Sequence, residues 1–140
     1  DVLYALKSMG HGDMLVVVDT NFPAEAMASQ TVLGELLRID NVPAADAVAA
    51  ILSLMPVDSF IDDAATRMEV VGAPEEVPQV QQEVQAAIDK AEGKHWPLTP
   101  VERFDFYERA KDAFCVIQTG ERRFYGCFTL TKGVIPPETV

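Results

Sequence analysis

The chain has 140 residues, 49% of them hydrophobic, and a formal net charge of -11. That length fits one compact domain able to build its own core. The acidic field repels phosphate backbones and anionic lipid heads, which sets aside nucleic acid and membrane surfaces as partners.

In chain order, Val2 to Met9 places Val2, Leu3, Leu6 and Met9 near one helical face, with Gly10 as a stop. The turn Gly10-His11-Gly12-Asp13 precedes Met14 to Val18, an unbroken apolar run that reads as a buried strand closed by Asp19. Thr20 to Pro23 leaves it as a loop, and Leu36 to Asp40 reads as a second short strand. Pro43 then introduces a helix from about Ala44 to Met55, striped by Ala47, Val48, Ile51, Leu52 and Met55 and stopped by Pro56.

Arg67 to Val71 reads as a strand ended by Gly72. Glu75 to Glu92 has the spacing of an amphipathic helix, with Pro78 in its first turn and Gly93 beyond its end. Lys94 to Pro100 reads as a loop and Phe104 to Ala113 as a helix. Phe114 to Gln118 and Phe124 to Leu130 read as strands joined by Thr119 to Arg122, a pair with the pattern of a hairpin.

Cys115 and Cys127 sit in apolar, strand-like stretches, which suits a reduced cytoplasmic protein better than a disulfide scaffold. No apolar run approaches the roughly 20 residues of a membrane span. The chain opens on Asp1 rather than Met and shows no signal-peptide pattern. His11, His95, Cys115 and Cys127 lack compact metal-ligand spacing, and neither a nucleophile elbow nor a phosphate-cradling glycine loop is present. Neither metal nor cofactor is expected.

Several residues have the chemistry of a site. His11, between two glycines, is placed to exchange protons near neutrality or simply to shape a turn. Asp19 stands at a strand end, where α/β sheets present ligand-binding groups, although an Asx turn or loop cap is the commoner use of such a residue. Arg103 and Tyr107, four apart, share one helix face. Arginine there suits hydroxyl oxygens or a surface pair with Glu102 or Asp105, and the tyrosine suits proton exchange or packing. Tyr125 in the final strand is explained by β propensity alone.

Taken together, L-x-S-M-GHGD, VVVD-TNFPA, RFDFYERAKDAF, TGER and YG-C-F-L-x-KGV resemble the fucose mutarotase/ribose pyranase family (RbsD/FucU), nearer its fucose mutarotase branch. The match keeps order and spacing from Leu6 to Val134. The resemblance implies a single three-layer α/β domain over residues 1–140, a central mixed sheet flanked by helices, with the family's extreme N-terminal strand lying outside the chain. It also implies a cytoplasmic, cofactor-free isomerase acting on a monosaccharide, and a homo-oligomer, typically a decamer of two pentameric rings, with sites where subunits meet.

By the same resemblance, His11 is the proton-donor histidine and Tyr107 a second acid/base. Asp19, Asp58, Arg103, Tyr125 and Gly126 contact substrate, and Cys127 stands where the family has a sugar-binding asparagine. Phe60 stands where tyrosine is common. The resemblance leaves two other readings open: a D-ribose pyranase, and a non-catalytic sugar-binding protein, for which Cys127 is the best argument.

Overall fold

The structure, a computed structural model, describes residues 1–137, so the last three positions of the expected domain lie outside it. Eleven elements follow one another. They are α1 (Val2–Ser8), β1 (Met14–Val18), α2 (Ala24–Ala28), β2 (Leu36–Ile39), α3 (Ala44–Leu52) and β3 (Ala65–Met68). After these come α4 (Gln79–Glu92), β4 (Thr99–Val101), α5 (Arg103–Lys111), β5 (Cys115–Thr119) and β6 (Phe128–Thr131).

The strands form one sheet in the order β2-β5-β1-β6-β3-β4. β1 pairs in parallel with β5 (Leu15 opposite Cys115) and antiparallel with β6 (Val16 opposite Thr129). β6 alone runs against the others, which makes the sheet mixed. Alternate side chains of β1 enter two separate apolar cores. Leu15 and Val17 pack with α1, α3 and α4, whereas Val16 and Val18 pack with Phe106 and Ala110 of α5 and Ala24 and Ala28 of α2. This is the three-layer arrangement expected from the resemblance. It explains why β1 is apolar throughout: both faces of the strand are covered.

The structure corrects four local readings. β5 and β6 form no hairpin, because β1 lies between them and residues 120–127 cross its end. Tyr125 therefore lies in that connection rather than in the final strand. The segment 94–100 contains the start of β4, an edge strand of three residues, where Pro100 can be tolerated. The expected strand Arg67 to Val71 is shifted toward Ala65, since Ala65 and Thr66 find partners in Leu130 and Thr129. The short helix α2, five residues from Ala24 to Ala28, is an element the sequence does not mark.

The glycine-flanked turn after α1 is built by its neighbours. Gly12 has φ +87, and its N–H donates to the Lys132 carbonyl at 2.9 Å. Lys132 Nζ in turn donates to the carbonyls of Leu6 and Met9, satisfying the end of α1.

Candidate functional site

A cavity of about 270 Å³ opens at the carboxyl end of β1, where sheets of this kind present ligand sites. Its lining mixes polar side chains, Asp19, Asn21, Arg103, Tyr107 and Tyr125, with the apolar Phe22, Met68, Val71 and Phe124. Cys127 also faces the cavity. Small and mixed in its lining, it suits a compact ligand that carries both hydroxyls and apolar carbon surface.

Asp19 forms the Asx turn and also lines the cavity. Its Oδ1 accepts the Asn21 and Phe22 N–H groups at 3.0 Å each, an Asx turn that ends β1. Its Oδ2 accepts the Gly126 N–H at 3.0 Å and the Cys127 thiol at 3.5 Å. The buried carboxylate thus ties β1 to the 120–127 connection while lining the cavity. A side chain at position 126 would press on Asp19 and Glu121, with a Cβ 3.3 Å from the Asp19 Cβ and 3.0 Å from the Glu121 Cγ. Either neighbour would have to give by a few tenths of an ångström, so glycine eases the close approach there.

Tyr125 has φ +63, a left-handed conformation that costs a non-glycine residue about 1–3 kcal/mol unless its surroundings hold it. Its hydroxyl accepts the Val71 N–H at 3.2 Å. The loop carrying it is clamped by Glu121, which accepts the Arg122 and Arg123 N–H groups, the Arg123 guanidinium, and the Ala44 N–H at the start of α3. Arg123 reaches on to both carboxylate oxygens of Glu83 in α4. The bond from Arg123 is the main cause that holds the Glu121 carboxyl down at about 2.

Helix α5 presents Arg103 and Tyr107 together. Glu102 is not an ion-pair partner for Arg103; its carboxylate caps the helix by accepting the Phe104 and Asp105 N–H groups. Arg103 instead donates from Nε to the Tyr107 hydroxyl at 3.1 Å, and this bond raises the arginine's pKa. The Tyr107 ring packs edge-on against Phe22 at 5.5 Å between centroids. Cys127 is 3% exposed, and burial pushes its thiol pKa well up, so it stays a neutral, weak donor.

The expected residues fall into two groups. Asp19, Arg103, Tyr107, Tyr125 and Cys127 line the cavity, with Gly126 as a backbone strut. His11 and Asp58 meet at the other end of β1, where Nε2 and Oδ1 lie 3.1 Å apart. The five residues of β1 separate the two groups by about 16 Å at ~3.3 Å per residue. His11 is about half exposed and packs against the exposed Phe60 ring at 5.3 Å.

The sequence reading singled out none of Phe22, Met68, Val71, Phe124, Gln81 or Glu121 as a site residue. Asn21-Phe22 and Glu121 stood inside the recognised D-x-NFPA and TGER strings, which is the signal that marks them. Among the described residues no group of three or more His, Cys, Asp or Glu side chains is arranged to hold a metal. No helix among them is long and apolar enough to cross a membrane.

Fold and cavity define an α/β protein with a small candidate ligand site of mixed lining at the carboxyl edge of its sheet. The chain belongs to the RbsD / FucU transport protein family, whose family model matches residues 1–135. It is 41% identical over 143 residues to the fucose mutarotase of Danio rerio, covering 99% of this chain and 90% of that one. The crystal structure of protein Atu2016, described as a candidate sugar-binding protein, is 60% identical with a TM-score of 0.94, covering 97% of this chain and 90% of that one. The fucose mutarotase of Streptococcus pneumoniae, solved in complex with L-fucose, is 34% identical with a TM-score of 0.85, covering 96% and 91%.

Proposed function

We propose that this chain is a monosaccharide mutarotase that interconverts the α and β anomers of L-fucose or a related sugar, an isomerase working in the cytoplasm without a cofactor. The observation that carries the reading is the cavity at the end of β1, whose lining holds Arg103 and Tyr107 together with Phe22, Met68 and Phe124. Fucose mutarotases are among its relatives over nearly the full length.

Mutarotation needs one proton delivered to the ring oxygen and one removed from the anomeric hydroxyl. The bond from the anomeric carbon to the ring oxygen breaks, an aldehyde forms, rotation exchanges its faces, and closure reverses both transfers. Each well-placed acid or base contributes about 10²–10⁴-fold. Because arginine can only donate, Arg103 Nε–H occupies a lone pair of the Tyr107 oxygen and leaves the phenolic proton free for the sugar. Asp58 holds the His11 imidazole as the other proton carrier.

His11 and Tyr107 of one chain stand too far apart to share a sugar, so we assign them to one site formed by two copies. His11 of a neighbouring copy, with its exposed Phe60, would approach the open cavity mouth beside Phe124. The assembly is a closed homo-oligomer, with a decamer of two pentameric rings as the expected form. A non-catalytic sugar-binding protein is the second reading, favoured by the weak Cys127 donor in the cavity.

Saturation-transfer NMR on the anomers of fucose, ribose and galactose tests this. Accelerated exchange of fucose is expected, and faster pyranose-furanose exchange of ribose would shift the reading to a ribose pyranase. Sugar binding by calorimetry with no acceleration would replace it with the binding protein.

A further inference from the structure

Gln81 is fully buried on α4, beneath the wall of the cavity rather than in it. Its carboxamide makes three hydrogen bonds. Oε1 accepts from Arg67 Nη1 at 3.1 Å, and Nε2 donates to the carbonyls of Met68 at 2.7 Å and Tyr125 at 3.0 Å. The guanidinium has no acceptor, so the amide oxygen must face Arg67 and both amide protons must face the two carbonyls. The orientation of this buried group is fixed by chemistry.

The two carbonyls belong to residues that line the cavity. The Tyr125 carbonyl and the Gly126 N–H are the two ends of one peptide unit. Gln81 holds its oxygen, and Asp19 holds its hydrogen at an N–O distance of 3.0 Å. This peptide follows the left-handed Tyr125, a conformation that persists only where neighbours over-determine it. Free to turn, the peptide would re-aim the Tyr125 ring on one side and Cys127 on the other.

We propose that Gln81 is a positioning residue of the cavity: with Asp19 it locks the Tyr125–Gly126 peptide, and so sets the ligand-facing geometry without touching the ligand. The consequence for sugar turnover rests on the mutarotase reading above; the locking of the peptide does not.

The test compares wild type with Gln81→Glu and Gln81→Met. Glutamate keeps the shape and an acceptor for Arg67 but presents no N–H to the two carbonyls. Methionine keeps the volume and serves if a buried carboxylate prevents folding. Amide hydrogen exchange reads the peptide directly. Protection of the Gly126 amide is expected to fall by about tenfold or more, as an unmade buried hydrogen bond implies, while Ile88 in α4 keeps its protection.

In anomer exchange, KM should rise about tenfold with kcat within about threefold. Unchanged Gly126 protection in a folded variant overturns the proposal. So does an equal loss at Gly126 and Ile88 in both variants, which would make Gln81 a packing residue only. If wild type accelerates no anomer exchange, the mutarotase reading falls, and the Gly126 amide still decides the role of Gln81.

Discussion

One helical turn apart on α5, Arg103 gives its Nε–H to the Tyr107 hydroxyl at 3.1 Å, while the ring beneath is wedged against Phe22. Placement of the ring and chemistry of the hydroxyl are therefore separable. Tyr107→Phe keeps the edge-on contact and removes the hydroxyl, the proposed proton carrier, together with the bond it accepts from Arg103. Anomer exchange should drop about 10²-fold or more, with stability changed by about 1 kcal/mol or less, since the lost bond is partly exposed. Wild-type exchange rates in the variant would exclude Tyr107 as an acid/base.

His11 sits about 16 Å of strand away, so the proposed paired-copy arrangement has a signature that no single-chain site can imitate. His11→Ala and Tyr107→Phe should each be nearly inactive alone. Refolded together in equal amounts, they should recover about a quarter of wild-type activity, because about one interface in four joins an intact His11 to an intact Tyr107. Activity no higher than that of the separate variants would show that the two groups do not meet across copies.

How much of this could be seen in the sequence depended on the range of the forces involved. β1, α3, α4 and α5 are written in local periodicity, and Pro43, Pro78 and Gly93 mark their ends. The pairing of β5 is not local. Its neighbour in sequence is β6, yet β1 takes the place between them because its two apolar faces complete both cores.

The connection 120–127 misled for a related reason: Phe124 and Tyr125 have strand propensity, but Glu121, Asp19 and Gln81 hold the backbone in a loop. Asp19, Arg103 and Tyr107 were recognisable because motif strings carried them. Gln81 was not, since a glutamine on a polar helix looks solvated until Arg67 is seen beside it.

Glu121 makes a prediction about acid stability. Its carboxyl is held at about 2 in the folded chain against an ordinary value of 4.5, chiefly by Arg123. A depressed folded pKa means that protonation favours the unfolded state. The stabilisation is complete above about pH 4.5 and disappears as pH falls toward 2, for a total of about 3 kcal/mol. Arg123 is partly exposed, so screening reduces that figure. Glu121→Gln should destabilise the chain at pH 7 and flatten the fall in Tm between pH 4.5 and pH 2. A parallel acid limb in wild type and variant would remove Glu121 as its source.

On the mutarotase proposal, Cys127 bears on which sugar is preferred. Its thiol is buried, neutral and directed at Asp19 Oδ2 at 3.5 Å, so it offers a sugar hydroxyl only a weak partner. Cys127→Asn would add an amide with both donor and acceptor to the cavity, at a cost of about 1 kcal/mol from crowding and altered burial. A single well-placed hydrogen bond to a ligand is worth about 0.5–1.5 kcal/mol. KM for fucose should therefore fall about three- to tenfold relative to ribose. Cys127→Ser is the control, because its shorter hydroxyl strengthens the bond to Asp19 without extending toward the ligand, and should leave the ratio near wild type. If Asn and Ser shift the fucose-to-ribose ratio equally, the change follows from the Asp19 contact rather than from a new bond to the sugar.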